Sequence, residues 1–174
     1  MRITGTVPQR ENPIIDLGHN LQVPTFIDVQ GTDVNGYDLT MKVEYNPSSG
    51  RYECRTVTLT TPDAEITGES LRSIPVQNVL KDGVVSALSA VTALNMGVIP
   101  QDVTEGGPTT SALSWVSYVY RVALILGESP VQGVAGALNL PKSTANRWIT
   151  RARDRGLLDV QDKRGRRDRE DSDT

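Results

Sequence analysis

The side chains best suited to bind a ligand are concentrated in one stretch near the end of the chain, PKSTANRWITRARDRGLL, residues 141–158. Wound as a helix at about 100° per residue, this stretch separates an apolar side from a hydrogen-bonding side. The apolar side consists of Ala145, Trp148, Ile149 and Ala152, and the polar side of Ser143, Asn146, Arg147, Thr150 and Arg151. Amide, hydroxyl and guanidinium groups are the ones that hydrogen-bond base edges and phosphates of nucleic acids.

Both ends of this helix are marked in the sequence. Ser143 is expected to cap the first turn by accepting a backbone N–H, and Gly156 supplies the left-handed position that ends helices. The pattern therefore predicts a helix with a basic face. A basic helix face is most often only exposed to solvent. The residues before the helix therefore have to decide whether this face binds nucleic acid or is simply solvated.

A second, shorter helix is predicted immediately upstream. Ser129 and Pro130 open it, and its apolar residues Val131, Val134, Ala135 and Leu138 recur at helical spacing. Asn139, which tolerates a positive φ, ends it, and Leu140 follows as an apolar plug. About three or four residues then separate the two helices, which indicates a tight turn.

The segment VAGALNLPKSTANRWI, residues 134–149, resembles the helix-turn-helix of bacterial and phage DNA-binding proteins. Ala135 occupies the small position where the two helices touch, Asn139 stands where the family usually has glycine, and Leu140, Ala145 and Trp148 fill apolar positions. The resemblance implies that the major groove is faced by Lys142, Ser143, Asn146, Arg147 and Thr150. It implies phosphate contacts for Arg151, Arg153 and Arg155, while Thr144 is either a cap or a phosphate contact.

A supporting first helix is predicted over SALSWVSYVYRVALILGE, residues 111–128. Three helices with a shared core would form a small domain of about 50 residues, from Thr109 to Val160. Trp148 is expected to be the largest side chain in that core, rather than a base-stacking residue.

The N-terminal half has the pattern of a small, mainly antiparallel sheet over residues 15–70. LTMKVEY alternates strictly, and RYECRTVTLTT returns as its hairpin partner, with a bulge expected near Arg55 and Thr56 because the apolar phase changes there. Pro24 lacks a ladder donor and is expected on an edge. AEITGESLRSIPV is expected to add a short strand. Residues 73–96 predict a covering helix, with a possible break at Gly83.

These elements predict an α+β protein: a β-rich domain with a covering helix (residues 1–96), a linker (97–108), a tri-helical helix-turn-helix domain (109–160) and a charged, disordered tail (161–174) that is too polar to pack. In the tail, Lys163 and Arg164 are candidates for phosphate or minor-groove contacts. The acidic residues 168–173 argue against such contacts, and both interpretations stay open.

The charge distribution is compatible with a nucleic-acid partner despite a net charge of −3. Residues 1–110 hold 7 Lys and Arg against 13 Asp and Glu, whereas residues 142–167 hold 9 basic residues against 3 acidic ones. The screening length at physiological salt is about 8 Å, so contact with phosphates depends on the local excess of basic residues in 142–167 and not on the net charge of the whole chain.

Composition argues against several other classes. With one histidine, His19, and one cysteine, Cys54, a Cys/His zinc site and an intramolecular disulfide are excluded, and Cys54 is expected to be a small buried hydrophobe. The segment that contains Asp28, Asp33 and Asp38 does not have the glycine and the glutamate that an EF-hand calcium loop requires at fixed positions. We therefore expect no catalytic, metal or cofactor site. The longest purely apolar run, residues 122–126, is short, and the N-terminus lacks the apolar core of a signal peptide. We therefore expect no membrane span and no export, and hence a cytoplasmic protein.

Three functions fit the pattern. The first is sequence-specific binding of double-stranded DNA by a transcriptional regulator of a bacterium or phage, with the third helix in the major groove. The second is a DNA-binding adaptor in phage packaging or DNA segregation, and the third is a protein-interaction module without DNA binding. A single helix-turn-helix rarely binds tightly alone, so we expect a homodimer or higher homo-oligomer.

Overall fold

The computed structural model describes residues 1–9, 11–18, 21–62, 65–91, 99–100 and 102–160. The described residues form six strands and five helices, and the protein is α+β, as predicted. The strands are β1 (Arg2–Thr6), β2 (Ile14–Asp16), β3 (Gln22–Pro24), β4 (Phe26–Val34), β5 (Tyr37–Asn46) and β6 (Arg51–Thr60). The helices are α1 (Gly68–Ser73), α2 (Val76–Val91), α3 (Thr110–Ile125), α4 (Pro130–Ala137) and α5 (Lys142–Asp154).

The main sheet is antiparallel and has the strand order β1-β4-β5-β6. Alternation along β5 buries one set of side chains and exposes the next, which confirms the predicted half-buried strand. β4 and β5 are joined at Asn35 and Gly36, which both have positive φ. Two consecutive positive φ values give the turn whose twist matches that of a hairpin, and this accounts for the Asn-Gly pair.

Two details of the sheet were correctly predicted. Lys42 pairs with Thr56 and Val43 with Cys54, so Arg55 is the extra residue of a bulge in β6. Pro24 pairs with Ile14 in a separate two-stranded sheet formed by β2 and β3, where each strand is an edge.

The short strand expected within AEITGESLRSIPV was wrong, because the described part of this segment contains α1 instead. The Thr67 hydroxyl accepts from the Ser70 backbone N–H, and the Ser70 hydroxyl accepts from the Thr67 backbone N–H. This capping box starts a helix in place of a strand. β1 was not predicted, because its five residues, RITGT, contain a single large apolar side chain, Ile3, and a glycine, which weakens the strand pattern.

Helix α2 covers the sheet at β1 and β4, and it continues through Gly83 without the break that the sequence allowed. The absence of a side chain at Gly83 permits close contact with the sheet: a Cβ there would lie 2.3 Å from Val29 Cγ1. A Cβ on Gly5 would likewise lie 1.8 Å from the Gly83 carbonyl oxygen. Residues 92–98, which include the predicted end of this helix, lie outside the described residues.

Helices α3, α4 and α5 pack pairwise, and their apolar residues join those of the sheet and α2 in one continuous core. The two halves meet at the β5–β6 turn, where a Cβ on Gly50 would come within 2.8 Å of Val160 Cγ1 and 3.1 Å of Leu124 Cδ1. Within the proposed linker, Ile99 and Val103 are partly buried against the core. The domain boundary near residue 108 stays a prediction.

Candidate nucleic-acid interface

The polar side of α5 is exposed, and its apolar side is buried. Ala145, Trp148, Ile149 and Ala152 are between 0% and 6% exposed, whereas the exposed class includes Asn146, Arg147, Thr150 and Arg151. Trp148 is therefore a core residue, as predicted. Because α5 packs against α3 and α4, its exposed side chains extend from a helix that is held by the core.

The first turn of α5 differs from the prediction in one respect. The N-cap is Pro141, and no side chain caps the helix, so Ser143 is not the N-cap. Lys142 and Ser143 are exposed in the first turn, and Thr144 is half-buried. Pro141 has a φ of −58° and a ψ of 144°, so the backbone is extended at the cap and the helix begins at Lys142, one residue before Ser143. The first backbone N–H groups of α5 are thus free of side-chain caps, at the end where the helix dipole favours an anion.

The turn between α4 and α5 is set by Asn139. Its φ is +50°, and the Leu140 backbone N–H donates to the Ala135 carbonyl at 2.9 Å, which closes the end of α4. Leu140 and Ala135 are partly buried against the same core as Trp148. Asparagine thus performs the role that the sequence assigned to it, and the turn is as short as predicted.

Helix α5 ends in the same way. Gly156 has a φ of +69°, and the Leu157 backbone N–H donates to the Ala152 carbonyl at 2.9 Å. This confirms Gly156 as the end of the helix. The chain then continues through Leu158 and Val160, which are both buried, without forming a strand over the described residues.

A pairing that was not predicted holds this extension in place. Arg121 on α3 donates to Asp159 Oδ1 at 2.6 Å, with the Arg121 side chain only 15% exposed and that of Asp159 79% exposed. The hydrogen bond from Arg121 lowers the pKa of Asp159 below its ordinary value. The two residues lie 38 positions apart in the chain, so no local pattern indicated the pair.

Arg153 also has a partner within the protein. Its Nη2 donates to the Tyr120 hydroxyl at 2.7 Å, and its Cζ lies 5.2 Å from the centroid of the Tyr120 ring. A guanidinium has five N–H donors, so this contact leaves others available for a phosphate. Arg151 and Arg155 are exposed. The remaining predicted contacts, Lys163 and Arg164, lie outside the described residues.

The loop aspartates have structural contacts. The Asp33 backbone N–H donates to Asp38 Oδ1 at 3.0 Å, and the N-terminal amine lies 3.4 Å from Asp33 Oδ2. Within the described ranges, no three His, Cys, Asp or Glu residues are grouped so that they could hold a metal ion. Cys54 is only partly buried, less than expected, and burial raises the pKa of its thiol.

Comparison of the chain with protein-family models, with curated proteins and with solved structures gave no match. Among the helices that the structure describes, none combines the length and the apolar character needed to cross a bilayer.

Proposed function

We propose that α3, α4 and α5 form a helix-turn-helix unit through which this protein binds double-stranded DNA in a sequence-specific manner, as a transcriptional regulator. The observation that carries the proposal is the opposite burial of the two sides of α5, with Trp148 inside and Arg147 outside. An α-helix fits into the DNA major groove, where the exposed polar side chains of α5 would reach the base edges.

The roles of the side chains follow from their positions on α5. Asn146 and Arg147 lie near the middle of the exposed side, where the amide suits adenine and the guanidinium suits guanine. Lys142, Ser143 and Thr150 flank them. The Thr150 hydroxyl donates to the Asn146 carbonyl at 3.1 Å, so toward DNA it acts as an acceptor.

Phosphate contacts are assigned to Arg151, Arg153 and Arg155. They occupy the last turn of α5 and its C-cap, beyond the residues assigned to bases. Phosphate contacts position a protein on the duplex without specifying sequence. Helix α5 carries four basic residues and one acidic residue, Asp154, so its local charge favours the DNA backbone.

Regulation would operate by occupancy of an operator. In a dimer, the α5 helices of the two copies would act as recognition helices and would lie in successive major grooves, about 34 Å apart. The sheet would hold the two copies together. Such a complex blocks or recruits other proteins at the site that it covers.

The proposal is tested by selecting bound sequences from a random duplex pool and then measuring affinity by fluorescence anisotropy. We expect an enriched motif with a two-fold repeat. Arg147→Ala should lose about 1–3 kcal/mol of binding free energy on the selected site and should lose preference at one base position. Arg72→Ala removes an exposed arginine from α1 and serves as the matched control, with affinity unchanged.

Salt dependence distinguishes this function from a protein-interaction module. If each subunit neutralises about four to six phosphates, log K falls with log salt at a slope of about −4 to −5 per subunit. Absence of retention on duplex DNA at low salt, with folded protein, would refute DNA binding.

A further inference from the structure

One edge of the main sheet is formed by β6, and over the described residues no further strand lies beyond it. Its second half, Thr56–Thr60, reads TVTLT and carries no charge. The bulge at Arg55 precedes this segment and Pro62 follows it. An edge strand presents unpaired backbone N–H and C=O groups, and proteins usually protect such an edge with charges, prolines or bulges. Between Arg55 and Pro62 these devices are missing.

The apolar side chains of this segment are more exposed than their neighbours in the sheet. Val57 pairs with Met41 and is 40% exposed, whereas Met41 is 2% exposed. Leu59 pairs with Leu39 in the same way and is only partly buried. β5 lies on one side of Val57 and Leu59. Their other side, along the free edge of the sheet, is therefore the one that is open to solvent.

We propose that a second copy of this chain adds its own β6 to this edge, antiparallel, with Thr58 on the two-fold axis. In this register Val57 of each copy lies opposite Leu59 of the other, and Thr56 lies opposite Thr60. The open flank of Val57 is then covered by an apolar side chain, and the threonines of the opposite face form a continuous row. Threonine pairs and β-branched pairs are favourable cross-strand neighbours.

Charge and symmetry favour a second copy as the occupant. The two-fold register opposes only uncharged residues, and it ends where Pro62 lacks a backbone donor. A parallel pairing in the same register would place Arg55 beside the same arginine of the other copy. The bulge at Arg55 interrupts the regular pleat, which confines an extended ladder to the segment that follows it. A two-fold interface requires a self-complementary segment, and TVTLT satisfies this requirement.

The proposal concerns the sheet alone and does not depend on DNA binding. In the proposed dimer, the four-stranded sheets of the two copies join at β6 and form one continuous eight-stranded sheet. If DNA binding is also correct, this dimer supplies the two recognition helices.

The first test is sedimentation velocity of the full chain over a dilution series. Wild type should dimerise, and Thr58→Lys should weaken the dimer about tenfold or more, because two lysines would meet on the axis. Thr40→Lys is the matched control, since Thr40 is exposed on β5 and pairs with Thr58 on the same face. Mixing Thr58→Lys with Thr58→Glu should restore the dimer.

A second measurement fixes the register. In a Cys54→Ser background, Thr58→Cys should form a disulfide between copies in a glutathione redox buffer, because directly opposite Cβ atoms lie about 4.5–5.5 Å apart, near disulfide range. Thr40→Cys should remain unlinked. A wild-type protein that stays monomeric, a dimer unaffected by Thr58→Lys, or equal linking at both positions would overturn the proposal and would leave the edge to a different partner.

Discussion

Arg153 near the end of α5 donates a hydrogen bond to the hydroxyl of Tyr120 on α3 at 2.7 Å, and its guanidinium lies over the Tyr120 ring. The sequence indicated only a phosphate contact for Arg153. The structure adds a second role, because the contact links the C-terminal end of α5 to the helix that supports it.

We therefore expect Arg153→Ala to reduce the free energy of unfolding as well as any DNA affinity. The loss should be about 1–2 kcal/mol, from one hydrogen bond and one cation–π contact. Tyr120→Phe keeps the ring and should lose only about 0.5–1.5 kcal/mol. Urea denaturation measures both, and Arg155→Ala, an exposed arginine two residues on, is the control. Equal stability of the Arg153 and Arg155 variants would show that the Tyr120 contact contributes nothing.

Gly83 should be intolerant of any side chain. An alanine Cβ would lie 2.3 Å from Val29 Cγ1 and 2.5 Å from its Cγ2, and Val29 is fully buried. Relief requires displacement of α2 from the sheet, which we expect to cost about 1–3 kcal/mol or more of unfolding free energy.

Gly136→Ala makes the same change in α4 and should have the opposite sign. Apart from neighbouring residues and the backbone of its own helix, no heavy atom lies within 4 Å of a Cβ placed there, and the residue is helical and exposed. Alanine should then stabilise the protein by about 0.4–1 kcal/mol. If thermal melts shift equally for the two glycine variants, the contact between α2 and the sheet is looser than described.

Tyr45 and Tyr52 form an edge-to-face pair with centroids 5.5 Å apart, yet their hydroxyls differ. The Tyr52 hydroxyl donates to the Pro24 carbonyl at 2.6 Å, while the buried Tyr45 hydroxyl has no hydrogen-bond partner among the described residues. Burial raises the pKa of both phenols.

Replacement of each tyrosine by phenylalanine should separate the two cases. Tyr52→Phe should lose about 1 kcal/mol of unfolding free energy, because it leaves the Pro24 carbonyl without its donor. Tyr45→Phe should be neutral or stabilising, because it removes an unpaired buried hydroxyl. Chemical denaturation in the same buffer compares them, and a larger loss at Tyr45 would contradict this account.

The ion pair between Arg121 and Asp159 should make stability depend on pH in the acidic range. The pKa of Asp159 is lowered in the folded protein from its ordinary value of 3.8, so the stabilisation is complete above that value and is lost as pH falls through the lowered pKa. At neutral pH, Asp159→Asn should cost only about 0.2–1 kcal/mol, because Asp159 is largely exposed.

The difference between wild type and Asp159→Asn should therefore shrink as the pH is lowered below 3.8. Asp154→Asn makes the same substitution on the exposed surface of α5 and is the matched control. Parallel curves of unfolding free energy against pH for wild type and Asp159→Asn would refute the contribution of the pair.

Features that depend on neighbours in the chain could be predicted. The two sides of α5, the positive φ of Asn139 and Gly156, and the bulge at Arg55 all follow from residue type and spacing over a few positions. α1 also begins at a local signal, the capping box of Thr67 and Ser70, although the sequence pattern predicted a strand there.

Several features that depend on particular distant contacts could not be predicted. β1 is a strand because β4 accepts it, and Gly5 and Gly83 are required because a strand and a helix approach each other closely there. The pairs formed by Arg121 with Asp159 and by Arg153 with Tyr120 join residues 38 and 33 positions apart. The sequence by itself determined which side of α5 is polar, because helical period and side-chain type are local properties. Only the tertiary structure decided how α5 and the residues after it are held, because that depends on which atoms meet in a shared core.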